Sequence, residues 1–199
     1  FKNCPVATKR LKVTGNVTIG SKGTLTHTAE TATGNGASAG AETQGLYLDV
    51  DGSMTIAKVG TDVGQIYVTG LGYQGSGNSG AGKGPGAGTG DGRSAGHGGE
   101  TYSGQPADYL TYGSVTNPVR SGSGSAYGPS HGGGTVKLVI GGQLTLNGSI
   151  LADGVTEGWR AGSGGSINIV AATFDAASAG TVSANGASPG SYPGGGGGR

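Results

Sequence analysis

Two closely spaced carboxylates, Asp49 and Asp51, come nearest to a catalytic arrangement in this chain. They occupy alternate positions of an apolar segment, so in an extended strand both side chains project to the same face. Such pairs serve glycan cleavage and calcium binding. The same pair also suits a solvated outer face of a strand, where Arg10 and Lys12 are available for ion pairs. We favour this second interpretation.

Three other patterns resemble catalytic motifs but lack the context that their chemistry needs. Segment 77–84 matches a phosphate-binding loop, but Gly84 stands where Ser or Thr would hold magnesium, and Pro85 prevents a following helix. Segment 128–132 spells a nucleophile elbow around Ser130, but its glycine-rich flanks exclude the required strand-to-helix turn. Matches to GxGxxG are expected by chance because 48 of the 199 residues are glycine.

Metal ligands are not grouped in the sequence either. His27, His97 and His131 lack the spacing of a metal site, and no cysteine accompanies them. Segment 88–92 faintly resembles a calcium-binding nonapeptide repeat, but it occurs only once. We therefore predict no metal, no cofactor and no enzymatic activity, with Asp49 and Asp51 as the alternative if the chain is an enzyme.

Three residues are candidates for covalent modification. Asn16 and Asn147 each begin an Asn-x-Ser/Thr sequon, which is a glycosylation acceptor in proteins of the eukaryotic secretory pathway. Cys4 is the single cysteine, and it is either free or paired with a thiol of another chain or of sequence beyond this one. A start at Phe1, without methionine or a signal peptide, indicates an excerpt of a larger chain.

Charge and composition exclude several classes of protein. The net charge is +1 with no basic cluster, which argues against nucleic acid and anionic membrane surfaces as main partners. No stretch of about 20 apolar residues could span a bilayer. The glycine content is incompatible with a helical protein, and glycine does not follow the three-residue period of collagen.

A repeated phrase, Gly-x-apolar-Thr-apolar, predicts the elements that position these residues. It occurs at 15–19, 52–56 and 142–146, and each copy alternates apolar with polar residues as a half-buried strand does. Short strands behind regularly placed glycines predict an all-β fold, a right-handed parallel β-solenoid in which each turn stacks on the next. The predicted inward positions are Leu11, Val13, Val17, Ile19, Leu46, Leu48, Val50, Met54, Ile56, Ile66, Val68, Val136, Leu138, Ile140, Leu144, Leu146, Ile150, Ile167, Ile169 and Val182.

Three zones follow along the predicted single domain. Residues 1–69 hold the first strands, residues 70–134 form a glycine-rich insertion on the flank, and residues 135–199 hold further strands and end in polyglycine. The insertion alternates glycine with other residues from Gly80 to Gly92, which leaves one bare backbone face if extended. Such a face predicts a surface for close contact with another chain, although composition also fits a disordered loop.

Tyrosines distinguish the insertion from a simple linker. A flexible linker would consist of Gly and Ser with few aromatic residues. Tyrosine suits contact with sugars or partner chains, and it equally suits filling an interior that lacks aliphatic side chains. Both interpretations remain open for the five tyrosines of this zone, which are Tyr73, Tyr102, Tyr109, Tyr112 and Tyr127.

The last third of the chain resembles the glycine-rich parallel β-helix repeats of large secreted surface proteins. The resemblance is carried by segments 134–154, 162–169, 180–186 and 194–199. Similar repeats occur in bacterial cell-surface proteins and in the shaft proteins of algal flagellar hairs, the mastigonemes. The resemblance implies an extracellular location and a β-helix architecture. It implies no catalytic residue, because these repeats share none.

The function predicted from these observations is structural. We expect an extracellular building block of a filament, hair or surface layer, with copies of itself and neighbouring domains as partners and glycine-rich surfaces as contacts. The alternative is a β-helix that binds or cleaves carbohydrate, with Asp49, Asp51 and the tyrosines lining a groove. A third possibility, ice binding, requires a regular ladder formed by Thr14, Thr18, Thr55 and Thr145.

Overall fold

A computed structural model describes residues 10–77, 80–89, 93–101, 111–176 and 180–199. These residues form twelve strands and one helix, a 3-10 turn at Gly36–Ser38. The strands are β1 (Leu11–Val13), β2 (Val17–Ile19), β3 (Thr24–Leu25), β4 (Leu46–Val50), β5 (Met54–Ile56), β6 (Lys58–Val59), β7 (Asp62–Val63), β8 (Gln65–Tyr67), β9 (Thr135–Leu146), β10 (Ser149–Leu151), β11 (Ser166–Asp175) and β12 (Thr181–Ser183).

Parallel pairing arranges these strands in four successive layers. In the larger sheet, β1 and β2 pair with β4 and β5, both of which pair with the long strand β9, and β9 pairs with β11. In the second sheet, β3, β8, β10 and β12 follow one another in the same order. Among the strand pairs of the described residues, that of β6 and β7 is the antiparallel one. Strand pairing is thus parallel, as the repeated phrase predicted.

The register aligns equivalent apolar residues of successive layers in columns. Leu48 lies between Leu11 and Leu138, and Leu138 in turn pairs with Ile169. Another column contains Val17, Met54, Leu144 and Phe174. A third contains Leu25, Ile66, Ile150 and Val182.

These columns form the hydrophobic core, and most of the predicted inward positions are buried or packed against it. Val182 is an exception and is 48% exposed. Its strand β12 is the last of the second sheet, so β10 covers it from one side only. The prediction that Val182 is buried was therefore wrong, because a column that ends at a surface leaves its final member exposed.

The predicted right-handed β-solenoid is wrong as the fold class of this protein. Strands make up only about 32% of the structure, which is mixed, with parallel sheets that curl like half a barrel and little helix. Parallel sheets also occur in α/β proteins, so parallel strands alone could not establish a solenoid. The physical reason for the difference is that much of the remaining chain forms ordered glycine-rich segments instead of short corners between strands.

In the glycine-rich segments, successive backbone N–H groups commonly donate to different neighbouring segments. Some residues three apart donate to the same neighbour. Gly162 N–H and Gly165 N–H both donate to segment 152–155, through Val155 O at 3.1 Å and Ala152 O at 2.7 Å. Gly164 N–H donates to Gly196 O of the C-terminal segment. In segment 161–166 the backbone N–H groups donate outside the segment, and a three-residue period of this kind is typical of polyproline II helices. We call the set the glycine-rich bundle; its segments are 70–76, 82–88, 94–99, 121–126, 130–134, 152–155, 161–166, 184–187 and 194–199.

Glycine is required in the bundle because the backbones approach too closely for side chains. A Cβ atom on Gly133 would lie 1.9 Å from Ala152 O, and one on Gly165 would lie 1.9 Å from Gly134 O. The bundle thus replaces side-chain packing by hydrogen bonds between backbones, whose polar groups must be paired when buried.

None of the helical structure in the described ranges is long and apolar enough to cross a membrane.

Candidate functional site

Asp49 and Asp51 lie on the outer face of the first two layers, each beside a cation of the neighbouring strand. Arg10 Nη1 is 3.1 Å from Asp49 Oδ2, and Lys12 Nζ is 2.9 Å from Asp51 Oδ1. The hydrogen bond to Asp51 raises the pKa of Lys12. Solvent screens the Lys12–Asp51 pair, because both of its side chains are exposed. Asp51 is solvated, with 45% of its side chain exposed, whereas only 13% of the Asp49 side chain is exposed, so the solvated-face interpretation does not describe Asp49.

The two sequons lie at turns next to strands. Asn16 is exposed, and its Oδ1 accepts a hydrogen bond from Ser53 N–H at 2.8 Å, which links the turn after β1 to the next layer. Asn147 is partly buried between β9 and β10, and its backbone N–H donates to Ile56 O. Cys4, Tyr102 and Tyr109 lie outside the residues that the structure describes.

Tyr73 and Tyr112 point into the interior of the molecule. Tyr73 is fully buried and its hydroxyl donates to Gly40 O at 2.9 Å. The Tyr112 hydroxyl is 2.9 Å from Ser123 Oγ, and its ring stacks on His97 with 4.4 Å between the centroids. These rings fill space between glycine-rich segments, whereas Tyr127 is exposed at the surface.

An ion pair between buried Glu42 and Arg120, whose side chain is 40% exposed, lies beside these tyrosines and was not expected from the sequence. Arg120 Nε lies 2.7 Å from Glu42 Oε1, and the Glu42 side chain is only 9% exposed. Burial raises the pKa of Glu42 to about 7, against the opposing effect of Arg120. Burial likewise raises the pKa values of Tyr73 and Tyr112. Glu42 carries no periodic or motif signal, so sequence reasoning had no means of finding this pair.

Glu30 is a second buried carboxylate, and backbone groups fully surround it. Its two oxygens accept hydrogen bonds from the N–H groups of Thr31, Ala32, Thr43 and Gln44 at 2.7–2.9 Å. Burial by itself raises the pKa of Glu30, but these bonds and that from the Thr43 hydroxyl outweigh it and lower the pKa. Glu30 therefore serves to fix the loop before β4, with no oxygen left for substrate chemistry.

The three histidines are each bound to the backbone at separate places. His27 Nδ1 contacts Thr28 O at 2.7 Å, His97 Nδ1 contacts Gly164 O at 2.7 Å, and His131 Nδ1 accepts from Gly75 N–H at 3.1 Å. Burial is the main cause that lowers the pKa of all three, that of His97 to about 4. No group of three His, Cys, Asp or Glu residues that could hold a metal ion occurs within the described residues.

The two ends of the layered sheets are the most distinctive surfaces of the described chain. The first end face is formed by β1, β2 and β3, each of which is paired on one side only within the described residues. A cavity of about 350 Å³ opens there, and its apolar lining includes Leu11, Val13, Val17, Leu25 and Leu48.

The second end face is formed by β11 and β12 at the opposite end of the columns. Phe174 is 56% exposed, and Val170 and Val182 are similarly exposed. The backbone of Arg199 pairs with Gly165 and Ile167 at the start of β11. The rest of that strand, through Ile169 and Phe174, has no strand partner on its outer edge among the described residues. Each end face thus exposes the final members of the apolar columns.

These end faces provide backbone hydrogen-bonding groups and apolar side chains rather than reactive groups. Unpaired edges of this kind are templates for pairing with another strand. Comparison of the chain with protein-family models, with characterised proteins and with solved structures finds no match to any of them.

Proposed function

We propose that this protein is an extracellular structural building block whose copies associate end to end through the two end faces. The observation that carries the proposal is that three apolar columns, those of Leu11, Val17 and Leu25, begin at one end face and end at the other. In repeat proteins, each layer contacts only its neighbours, and polar caps on the outermost layers keep the protein soluble. In the described residues both outermost layers instead expose apolar members of the columns.

A second copy is the occupant that fits these faces best. If β11 and β12 of one copy pair with β1, β2 and β3 of the next, Ile169 continues to Leu11, Phe174 to Val17, and Val182 to Leu25. The junction then repeats the register that already joins the four layers. Because the two faces differ, the contact is head-to-tail and leaves one free face at each end, which generates filaments.

Variants with one charged end test this proposal. Val13→Lys places a cation in the first end face, and Phe174→Lys places one in the second. We expect the unmodified protein to show concentration-dependent assembly by sedimentation velocity and filaments by electron microscopy, and each variant to remain a monomer. Val59→Lys is the matched control, because Val59 is 68% exposed on the β6–β7 hairpin, whose strands belong to neither end face, and should not affect assembly.

Mixing the two variants gives the sharper result. Val13→Lys retains a normal second end face and Phe174→Lys retains a normal first end face, so the mixture should form dimers and nothing longer. Monomers of the unmodified protein at every concentration, or equal loss of assembly in Val59→Lys, would contradict end-to-end association. Circular dichroism of each variant establishes that the sheets are intact.

Ice binding is a second candidate because part of the required threonine ladder is present. Thr18, Thr55 and Thr145 are aligned in register on the outer face of the larger sheet, and Asp175 occupies the next position. Thr14 lies outside the strands. Measurement of ice-crystal shape and thermal hysteresis tests this candidate: Thr55→Lys should abolish an effect that Thr24→Lys, on the other sheet, leaves unchanged.

A further inference from the structure

The loop from Thr156 to Ala161 holds Trp159, the single tryptophan, 69% exposed at the surface. An antiparallel bridge between Thr156 and Ala161 closes the loop. Ser130 fixes it from below, since its Oγ accepts from Glu157 N–H at 2.8 Å and donates to Arg160 O at 2.6 Å. Both neighbours of the Gly158–Trp159 pair are thus anchored. The exposure of this large apolar ring is imposed by a fixed loop.

A second ring extends the exposed aromatic surface. Tyr192 stacks on Trp159 with 6.2 Å between the ring centroids and 14° between the planes. The Arg160 guanidinium lies 4.6 Å from the centroid of Tyr192, which holds that ring by a cation–π contact. We call the cluster of Trp159, Tyr192 and Arg160 the aromatic platform.

A cavity of about 290 Å³ lies beside the platform. It is lined by Trp159, Glu157 and Tyr127, with Gly77, Gly128, Pro129 and Gly158 as the rest of its wall. Its size is near the lower limit of about 300 Å³ for ligand pockets. The cavity therefore suits a small ligand, or the end of a longer one, and excludes a large cofactor.

Tyr127 is held at the rim of this cavity in an unfavourable backbone conformation. Its φ of 50° is the only positive value among the described residues other than glycine. Its N–H donates to Ser76 Oγ at 2.8 Å, and its side chain is 40% exposed. A glycine would adopt this conformation without strain. Residues kept in such conformations cluster at binding sites, so a contribution of the Tyr127 ring to the site explains its presence.

The chemistry of the lining selects the class of ligand. Exposed aromatic faces bind the apolar face of a flat ring, and Glu157 supplies a carboxylate that accepts hydrogen bonds from hydroxyl groups. Trp159, Tyr127 and Glu157 would also attract a cation, but the Arg160 guanidinium, next to Trp159 in the chain, opposes a quaternary ammonium ligand by charge repulsion. An anion is disfavoured by Glu157. A neutral ring that has one apolar face and several hydroxyl donors satisfies all of these groups.

We propose that Trp159, Tyr127 and Glu157 form a binding site for a neutral sugar ring of a glycan. The site is separate from Asp49 and Asp51, and it does not depend on end-to-end association. Trp159 stacks on the apolar face of the sugar, Glu157 accepts a hydrogen bond from a hydroxyl group, and Tyr127 closes the other side of the cavity.

The single tryptophan makes the test direct, because all tryptophan fluorescence reports on this site. The Phe174→Lys variant is used because it is expected to remain a monomer. Neutral hexoses and their oligomers (of glucose, galactose and mannose) are titrated into it, with choline and glucuronate as comparison ligands. We expect a saturable change in fluorescence with at least one neutral oligosaccharide and none with choline or glucuronate.

Variants separate binding from a structural role. Tyr127→Gly removes the ring and relieves the backbone strain, so the affinity should fall by at least about 10-fold while the protein unfolds no more easily. Glu157→Gln should weaken binding less, since an amide oxygen still accepts a hydrogen bond. Tyr67→Ala removes an equally exposed tyrosine on β8 and should leave the affinity unchanged.

Three outcomes overturn the proposal. The first is the absence of a saturable signal with every neutral sugar. The second is binding of choline that Glu157→Gln abolishes, which would assign the site to a cation. The third is a fluorescence shift that follows the concentration of the protein without any sugar, which would assign the aromatic platform to contact between copies.

Discussion

Glu42 Oε1 lies 2.7 Å from Arg120 Nε, and this contact joins the loop before β4 to the chain that enters the glycine-rich bundle. Burial alone would favour a neutral carboxyl group, whereas the guanidinium favours its charged form. Breaking such a pair leaves one buried charge without compensation. Because burial and Arg120 act in opposite directions on the pKa of Glu42, protonation of this carboxyl group depends on how the interior is packed.

The raised pKa of Glu42 predicts that the free energy of unfolding decreases as pH rises. Because burial raises its pKa to about 7, the folded protein keeps a proton between pH 4.5 and 7 that the unfolded chain has released. The contribution of this proton to stability is complete below pH 4.5 and is lost as pH rises to 7. Urea unfolding should show that the native protein loses stability relative to Glu42→Gln between pH 5 and 8. Glu42→Gln has no carboxyl group to titrate at this position and should lack this dependence.

The lowered pKa of His97 predicts that the free energy of unfolding increases as pH rises. Burial lowers its pKa to about 4, so between pH 6.5 and 4 the unfolded chain binds a proton that the folded protein does not. Its contribution to stability is present above pH 6.5 and is lost as pH falls to 4. In an NMR titration, the imidazole resonance of His97 should not shift between pH 8 and 5. A midpoint near 6.5 would show that the ring is not buried as described.

Adjacent glycines of the terminal run should respond differently to alanine. A Cβ on Gly196 would lie 2.0 Å from Gly99 O, whereas one on Gly197 meets nothing within 4 Å. We expect Gly196→Ala to destabilise the protein by about 1–3 kcal/mol and Gly197→Ala to change stability by less than about 0.5 kcal/mol. Thermal or urea unfolding measures both. Equal effects would mean that the run does not pack in the bundle.

The apolar columns predict a gradient of mutational effects. Leu144 is fully buried in the third layer, so Leu144→Ala should cost about 2–5 kcal/mol in the free energy of unfolding. Val182→Ala, at the exposed end of another column, should cost less than about 0.5 kcal/mol in the monomer. A large loss at Val182 in dilute protein would instead indicate that the second end face is covered.

Limited proteolysis distinguishes an ordered bundle from a flexible linker. Both backbone groups of Lys83 are hydrogen-bonded, its N–H to Gln74 O and its carbonyl oxygen to Gly124 N–H. Trypsin should therefore cut at Lys83 and Arg120 more slowly than at Lys22, whose side chain is 79% exposed. Mass spectrometry of early fragments measures the order. First cleavage at Lys83 would contradict the order of the bundle.

The alternation of the sequence determined the faces of the strands. Val17, Met54 and Leu144 could be assigned to the interior because a period of two fixes which side chains share a face, whatever the strands pair with. The ion pairs of Asp49 and Asp51 with Arg10 and Lys12 were foreseeable for the same reason. Trp159 was not singled out, although an isolated tryptophan between Gly158 and Arg160 is itself a signal of exposure in a glycine-rich loop.

The tertiary structure alone decided the glycine-rich bundle, the fold class and the Glu42–Arg120 pair. Glycine has no side chain that could show a face, so its hydrogen-bond partners depend on which distant segments lie beside it, as Gly164 and Gly196 do. The burial of a carboxyl group likewise depends on what covers it. Side-chain periodicity is local and can be read along the chain, whereas close backbone contact and desolvation arise only when distant segments meet.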